Sequence, residues 1–113
     1  MLQGSLTGML AKQLQPMVER MQKDIVRIQN ELDKERLEVS TGGGMVKVSI
    51  SGMGEILEIK LDPQVVNAEE IEMLQDLIAA GVREAMKKAE ARHKERMSEA
   101  TAGIAIPPGM FGY

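Results

Sequence analysis

The sequence has 113 residues, a formal net charge of −3 and 43% hydrophobic residues, which is enough for one domain. It has no cysteine, ten methionines and only two aromatic residues, Phe111 and Tyr113, so a disulfide framework and thiolate chemistry are excluded and the core must be aliphatic and methionine-based. No apolar run approaches the roughly 20 residues of a membrane span, and the basic-then-apolar pattern of a secretory signal is missing from the first residues.

The charge is unevenly distributed along the chain. Residues 1–36 carry a balance of +1, residues 37–76 a balance of −6, and residues 77–113 a balance of +2. We therefore expect an anionic partner to meet the two flanks rather than the acidic middle.

The N-terminal part of the sequence, residues 1–36, predicts a loose N-terminus over residues 1–11 and a helix over residues 12–35. Pro16 suits the first turn of this helix, or kinks a helix that began earlier. Apolar residues recur at alternating steps of four and three, which is the heptad pattern of a helix with one apolar seam. This seam is Leu14, Val18, Met21, Ile25, Ile28 and Leu32.

Residues 36–62 predict a sheet of three strands. Arg36 to Ser40 is the first strand candidate, and three consecutive glycines, Gly42 to Gly44, separate it from the second. Val46, Val48 and Ile50 alternate with polar residues, which is the period of a half-buried strand. Gly52-Met53-Gly54 supplies a turn into a third apolar run, and Asp62-Pro63 ends the sheet.

A second helix is predicted over residues 67–99, with Asn67 as its N-cap and Glu70 at the capping-box position. Its apolar stripe fades to alanine and is nearly absent after Ala89. We therefore expect the second half of this helix to project into solvent or to fray. The tail over residues 103–113 is rich in Pro and Gly yet keeps five apolar side chains, so we expect it to pack somewhere or to bind in an extended form.

These elements predict an α+β fold of order α-β-β-β-α, with a three-stranded antiparallel sheet and two long projecting helices. The helices look too long for one such sheet to cover. The seam of the first helix and the sheet edge both lack a partner within one chain, and a symmetric homodimer is the simplest solution.

The sequence contains few residues in patterns that are typical of an enzyme active site. The single histidine, His93, lies in a charged part of the second helix and is expected to be a solvated surface residue. The acidic residues before and within that helix are explained by capping and solvation, and no His or Cys joins them to form a metal site. The triple glycine lacks the Lys-Ser/Thr of a phosphate-binding loop, and a strand rather than a helix follows it. We predict no catalytic residue, no metal and no cofactor.

The basic residues of the two helices are the remaining candidates. Composition alone favours a solvated face of paired charges, whereas the sharper hypothesis is contact with the phosphates of duplex DNA. No aromatic residue lies among these cations, which argues against binding of single strands by stacking. The first candidates are Arg83, Lys87, Lys88, Arg92, Lys94 and Arg96 on the second helix. The next are Arg20, Lys23, Arg27 and Lys34 on the first helix.

The glycine-rich stretch from Gly42 to Ile56, followed by Ile59-Lys-Leu-Asp-Pro63, resembles the YbaB/EbfC family of bacterial nucleoid-associated proteins. The methionine- and glutamine-containing first helix, the run from Met73 to Glu90 and the closing Pro107-Pro-Gly-Met are similar as well. The resemblance spans the chain from about Met9 to the tail.

This resemblance implies a cytoplasmic, nucleoid-located homodimer in which the sheets join and the helices project like tweezers. It also implies binding to double-stranded DNA with little sequence preference, in nucleoid organisation or gene regulation. The family places its DNA contacts on the projecting helices, so only this region is carried over to the basic residues named above. The alternative is a non-enzymatic adaptor, in which the methionine-rich seam and the PPG tail dock a protein, such as one of replication or recombination.

Overall fold

The computed structural model describes the backbone of residues 2–101 and the side chains of residues 8–101. The elements are α1 (Leu2–Lys34), β1 (Arg36–Thr41), β2 (Val46–Ser51), β3 (Ile56–Leu61) and α2 (Ile71–Thr101), with short 3₁₀ turns at Pro63–Val65 and Ala68–Glu70. The α-β-β-β-α order is as predicted. The molecule measures 79 × 25 × 16 Å, because α1 extends well beyond the sheet.

α1 begins earlier than the sequence predicted. A loose segment was expected over residues 1–11 and a helix from residue 12, whereas the helix already starts at Leu2 and contains Pro16. Residues 9–15 are mostly strong helix formers, Met, Leu, Ala, Lys and Gln. Their propensity, together with the length of the helix on both sides, offsets the backbone hydrogen bond that proline removes.

The sheet is an antiparallel meander in the order β1-β2-β3. Val39 faces Val48 across the first pair of strands, and Val48 faces Ile59 across the second. The turn between β1 and β2 uses Gly42, Gly43 and Gly44 with φ of +61°, +67° and +93°, a region in which side chains are strained. The triple glycine is therefore a strand connection, as predicted.

The main core lies between the sheet and α2. Val46, Val48 and Ile50 of β2 are fully buried against Ala85 and Ala89 of α2. α2 packs mainly on β1 and β2, and the apolar side chains of β3 remain exposed. These exposed residues are Ile56, Leu57, Ile59 and Leu61.

A second core joins the two helices. Ile28 and Leu32 of α1 are fully buried together with Ala100 of α2, and Ile25 and Met97 pack around them. The charged second half of α2 therefore lies against α1. This corrects the prediction that it projects into solvent or frays: the stripe that was read as ending at Ala89 continues through Arg92 and Arg96 to Ala100, with Met97 beside it.

Two predicted features at the ends of α2 have different outcomes. Asn67 is an N-cap, as predicted, but of the 3₁₀ turn that leads into α2, where its side chain accepts a hydrogen bond from the amide of Glu69 at 3.0 Å. α2 itself begins four residues after Asn67, at Ile71. The tail predicted over residues 103–113 lies outside the described residues.

Candidate nucleic-acid interface

The basic residues of α1 form one stripe on its outer face. Arg20, Lys23, Arg27 and Lys34 are separated by three, four and seven residues, which places them on one side of a helix. All four are exposed, and their stripe lies on the opposite side of α1 from the seam that contains Ile28 and Leu32. Arg27 pairs with Asp24 and Glu31, while Arg20, Lys23 and Lys34 form no ion pair with any side chain of residues 8–101.

Three of the six candidates on α2 also face outward. Arg83, Lys87 and Lys94 are separated by four and seven residues and lie on the side of α2 opposite Ala85 and Ala89. All three are exposed. Lys94 pairs with Glu90 one turn away, at 3.4 Å between Nζ and Oε1, an exposed contact that phosphate can displace. This face therefore offers cations to solvent in the same manner as the stripe on α1.

The other three candidates on α2 are turned toward the protein. Arg92 and Arg96 continue the buried positions of α2, which are spaced by three and four residues from Gly81 through Ala89 to Ala100. Arg92 donates from Nε to Glu35 at 2.7 Å, and Arg96 donates to Glu31 of α1. The ammonium of Lys88 donates to the backbone carbonyl of Glu38 in β1, at 3.0 Å. Each of these groups already holds a protein partner.

Arg92 and Arg96 join α2 to α1 and to the start of the sheet through ion pairs, and shifted pKa values accompany these pairs. The hydrogen bond from Arg96 is the main cause that holds the pKa of Glu31 below its ordinary value, and Arg27 lowers it further. In return, the hydrogen bond to Glu31 raises the pKa of Arg96, and the hydrogen bond to Glu35 raises the pKa of Arg92. Both arginines are therefore charged and bound in place. We call Glu31, Glu35, Arg92 and Arg96 the helix clamp.

The helix clamp is a feature that sequence reasoning missed. Its signal was present in the sequence: Glu31 and Glu35 are four residues apart in the chain, and so are Arg92 and Arg96. Two helices that run antiparallel can match such pairs, Glu31 with Arg96 and Glu35 with Arg92. Charge counting along one helix does not reveal this match, because the partners are about 60 residues apart in sequence.

His93 was predicted to be a solvated surface residue, but its side chain is half-buried. It lines a shallow groove with Met53 and Met86, between the β2–β3 turn and α2. Among the described residues, no group of three or more His, Asp or Glu side chains is placed to hold a metal ion.

The polar face of the sheet, away from α2, carries mixed charges. Arg36 donates to Glu58 at 2.9 Å and to the hydroxyl of Ser49 at 3.0 Å, and Lys60 lies 3.6 Å from the same glutamate. These cations are neutralised locally. Lys47 on this face is exposed and forms no ion pair with any side chain of residues 8–101, so exposed positive charge is found on this face as well as on the outer faces of the two helices.

Fold and surface together define a class: an elongated α+β protein whose two long helices carry cations outward and whose sheet leaves one apolar edge open. Comparison with known proteins identifies the family. Residues 6–104 match the model of the YbaB/EbfC DNA-binding family, so the chain belongs to this family, and the resemblance drawn from the glycine-rich strands is confirmed.

Individual relatives agree with this assignment. A nucleoid-associated protein of Dictyoglomus turgidum is 42% identical over 94 residues, covering 83% of this chain and 90% of the relative. A nucleoid-associated protein of Agrobacterium fabrum is 38% identical over 105 residues, covering 93% of this chain and 94% of the relative. A crystal structure of an uncharacterized protein from Helicobacter pylori matches with a TM-score of 0.67 and 25% identity, over 74% of this chain and 88% of that one. The fold class predicted from the sequence is thus confirmed.

Within the stretch that the structure describes, neither helix is apolar enough over sufficient length to cross a membrane.

Proposed function

We propose that this protein binds duplex DNA through the outer faces of α1 and α2, largely without sequence preference and without catalysis. In this proposal it acts in the cytoplasm as a nucleoid protein, in nucleoid organisation or gene regulation. The observation that carries the proposal is that Arg20, Lys23 and Lys34, and Arg83 and Lys87, are exposed cations without an ion-pair partner among residues 8–101. The names of the relatives support the same function.

The chemistry of this binding is neutralisation of phosphate. An exposed lysine or arginine that meets a phosphate releases condensed counterions, so affinity falls as salt is added. The net charge of −3 does not prevent this, because residues 1–36 and 77–113 carry balances of +1 and +2. Of the acidic residues that share the outer face of α2, Glu72 and Asp76 lie in its first turns, before Arg83 and Lys87, and Glu90 pairs with Lys94. We assign the contacts first to the outward residues of both helices. Arg92, Arg96 and Lys88 instead position the helices that carry those residues.

A homodimer would double this surface. β3 is an edge strand with Ile56, Ile59 and Leu61 at 38%, 41% and 37% exposure, and exposed apolar edges favour pairing with another chain. Pairing of two β3 edges would bury these side chains and place two sets of helices about a two-fold axis. DNA would then meet cations from both chains, and the spacing of the contacts would follow from that axis.

Binding to a labelled random-sequence duplex at several salt concentrations tests the proposal. We expect micromolar or tighter binding at low salt, with a log–log slope of about −0.9 for each phosphate neutralised. Replacing Lys23 and Lys34 by Ala should flatten this slope and weaken binding to all sequences. Replacing Lys47 and Lys60 of the sheet by Ala is a control that removes positive charge elsewhere. Equal losses in both variants would mean that net charge, rather than the α1 stripe, governs binding, and no binding at low salt would refute DNA as the ligand.

The second candidate is the adaptor, and one observation favours it: the first half of α1 exposes Leu14, Met17 and Val18. A protein of replication or recombination could dock on such a surface together with the tail. Deleting residues 103–113 separates the two functions, because the DNA binder keeps its affinity for duplex DNA whereas the adaptor loses its partner.

A further inference from the structure

Glu31 connects the basic stripe of α1 to the helix clamp. Its two carboxylate oxygens have different partners: Oε1 accepts a hydrogen bond from Nη1 of Arg27 at 3.2 Å, and Oε2 accepts one from Nη2 of Arg96. Arg27 belongs to the outward stripe and its side chain is 55% exposed, whereas the side chain of Arg96 is only 14% exposed. One carboxylate is therefore shared between a candidate DNA contact and an arginine of the helix clamp.

The carboxylate of Glu31 also lies where a phosphate would bind. It lines a shallow hollow on the surface of α1, in which every other charged lining residue is a cation of the stripe; these cations are Lys23, Arg27 and Lys34. A phosphate held by them would meet the negative charge of Glu31, and like charges at this range disfavour binding. Binding in the hollow is therefore favoured by a cation that neutralises Glu31 without contacting the phosphate itself.

Arg96 has the position of such a cation. Its guanidinium is largely covered and lies between Glu31 and Glu99, with 3.3 Å from Nε to Oε2 of Glu99. Its hydrogen bond is the largest cause that lowers the pKa of Glu31, and the bond from Arg27 is a smaller one. The other pair of Arg27, with Asp24 at 3.7 Å, is too long for a hydrogen bond and is exposed. Arg27 is therefore the partner that can leave Glu31, and Arg96 is the partner that stays.

We propose that Arg96 is a positioning residue for DNA binding and acts through Glu31. When a phosphate enters the hollow, Arg27 exchanges its hydrogen bond with Glu31 for one with the phosphate. Arg96 keeps the carboxylate that is left behind neutralised and in place. Without Arg96, the full charge of Glu31 would hold Arg27 and repel the phosphate. This role of Arg96 rests on the proposed function and goes beyond joining the two helices.

Two double variants of equal net charge test this role. Arg96→Met keeps the aliphatic part of the side chain but removes its charge, and we expect it to weaken binding to a random-sequence duplex by about threefold or more at low salt. Adding Glu31→Gln should restore the affinity to within about twofold of wild type, because no unpaired carboxylate then remains in the hollow.

The matched control adds Glu19→Gln to Arg96→Met. This double variant has the same net charge, but Glu19 lies outside the hollow and forms no ion pair with any side chain of residues 8–101. Its affinity should therefore stay close to that of Arg96→Met alone. Circular dichroism at the temperature of the binding measurement checks that every variant is folded.

Selective recovery by Glu31→Gln is the supporting result. No recovery in either double variant would mean that Arg96 acts only by joining the helices, and equal recovery in both would mean that net charge alone governs the affinity. Either result would overturn the proposal. Absence of binding by the wild-type protein would refute the proposed function as well, whereas wild-type binding without selective recovery would refute only this role of Arg96.

A second measurement leaves Arg96 unchanged. The side-chain guanidinium signals of Arg27 and Arg96 can be followed by NMR while the wild-type protein is titrated with a short duplex. We expect the signal of Arg27 to shift because this residue changes its partner, and that of Arg96 to shift less because its bond to Glu31 persists. A larger shift at Arg96 than at Arg27, or no shift at Arg27 under conditions in which the duplex binds, would overturn the proposal.

Discussion

Arg92 of α2 donates from its Nε to the carboxylate of Glu35, at 2.7 Å, and Glu35 is the single residue between α1 and β1. One ion pair therefore ties α2 to the junction of the first helix and the sheet. Both side chains are only partly exposed, at 31% and 25%. A cation that looks like part of a DNA-binding surface in the sequence holds the scaffold of that surface together instead.

We expect Arg92→Ala to lower the midpoint of thermal unfolding more than Glu35→Gln, because alanine removes the pairs of Arg92 with both Glu35 and Glu95, whereas glutamine at position 35 still accepts a hydrogen bond. Lys94→Ala should lower it less, since its pair with Glu90 is exposed. The measurement is thermal unfolding followed by circular dichroism. If Arg92→Ala leaves the midpoint unchanged while DNA affinity falls, Arg92 contacts DNA directly and the helix clamp is not its role.

Lys87 and Lys88 are adjacent in sequence but differ in their surroundings. Lys87 is exposed on the outer face of α2, whereas the ammonium of Lys88 bonds to the carbonyl of Glu38. We expect Lys87→Ala to weaken binding to duplex DNA and to change the log–log salt slope by about 0.9 for each phosphate contact that is lost. Lys88→Ala is the matched control, with the same change in net charge and a smaller change in slope. A larger effect from Lys88 would reverse the assignment of the two faces.

Acid should loosen the helix clamp through Glu31. Arg96 keeps the pKa of Glu31 below its ordinary value in the folded protein, so this contact contributes stability above the unfolded-state pKa and loses it as the pH falls through the folded-state pKa. Glu31→Gln should therefore lower the unfolding midpoint at pH 7 and have a smaller effect near about pH 3. Glu19→Gln on the exposed part of α1 is the control, expected to have little effect at either pH. A constant difference between wild type and Glu31→Gln across this range would contradict the assignment.

Gly52 is where the β2–β3 turn meets the end of α1. Its amide donates to the carbonyl of Leu32 at 2.9 Å, and a Cβ at this position would lie 2.8 Å from that same oxygen. Gly52→Ala should therefore destabilise the protein by about 1–3 kcal/mol, the usual cost of overpacking, measured by urea unfolding. Gly8→Ala is the control, because nothing lies within 4 Å of a Cβ there and alanine favours a helix. Equal stability of the Gly52 variant and wild type would mean that the turn moves aside at little cost.

The open edge of β3 predicts the oligomeric state. Ile59→Asp should shift a homodimer to monomers in sedimentation or light scattering, because it places a charge on the apolar surface that pairing would bury. Val26→Asp is the control, since Val26 is an exposed valine on the outside of α1. A dimer that survives Ile59→Asp would place the dimer interface on another surface.

The sequence was sufficient for the elements that depend on local patterns. The alternation of Val46, Val48 and Ile50 predicted β2 and the face that packs on α2, although Ser49 and Ser51 on its other face are buried as well. The steps of three and four predicted the seam of α1. Both succeed because burial on one face repeats with the period of the element. The start of α1 was less predictable, since a proline usually marks the first turn of a helix, and at Pro16 the propensity of its neighbours prevailed.

The division of the ten cations could not be predicted in this way. Along α2, Lys87, Lys88 and Arg92 look equally solvated, and only the position of α1 and β1 separates the outward residues from the inward ones. That position depends on contacts between residues far apart in sequence, such as Glu31 with Arg96. Hydropathy predicts that arginine faces solvent. In this fold the aliphatic part of Arg96 lies over the interface of the two helices, and a carboxylate binds its guanidinium.

The meander order of the sheet has a consequence for how the chain folds. Each strand pairs with its neighbour in sequence through a connection of only four residues. Closing these short loops costs little conformational entropy, so the strand contacts can form early. The docking of α2 on the sheet and on α1 is the step that joins distant parts of the described chain. Substitutions in the two hairpins should accordingly change the rate of folding, and substitutions at Ile28 or Ala100 the rate of unfolding.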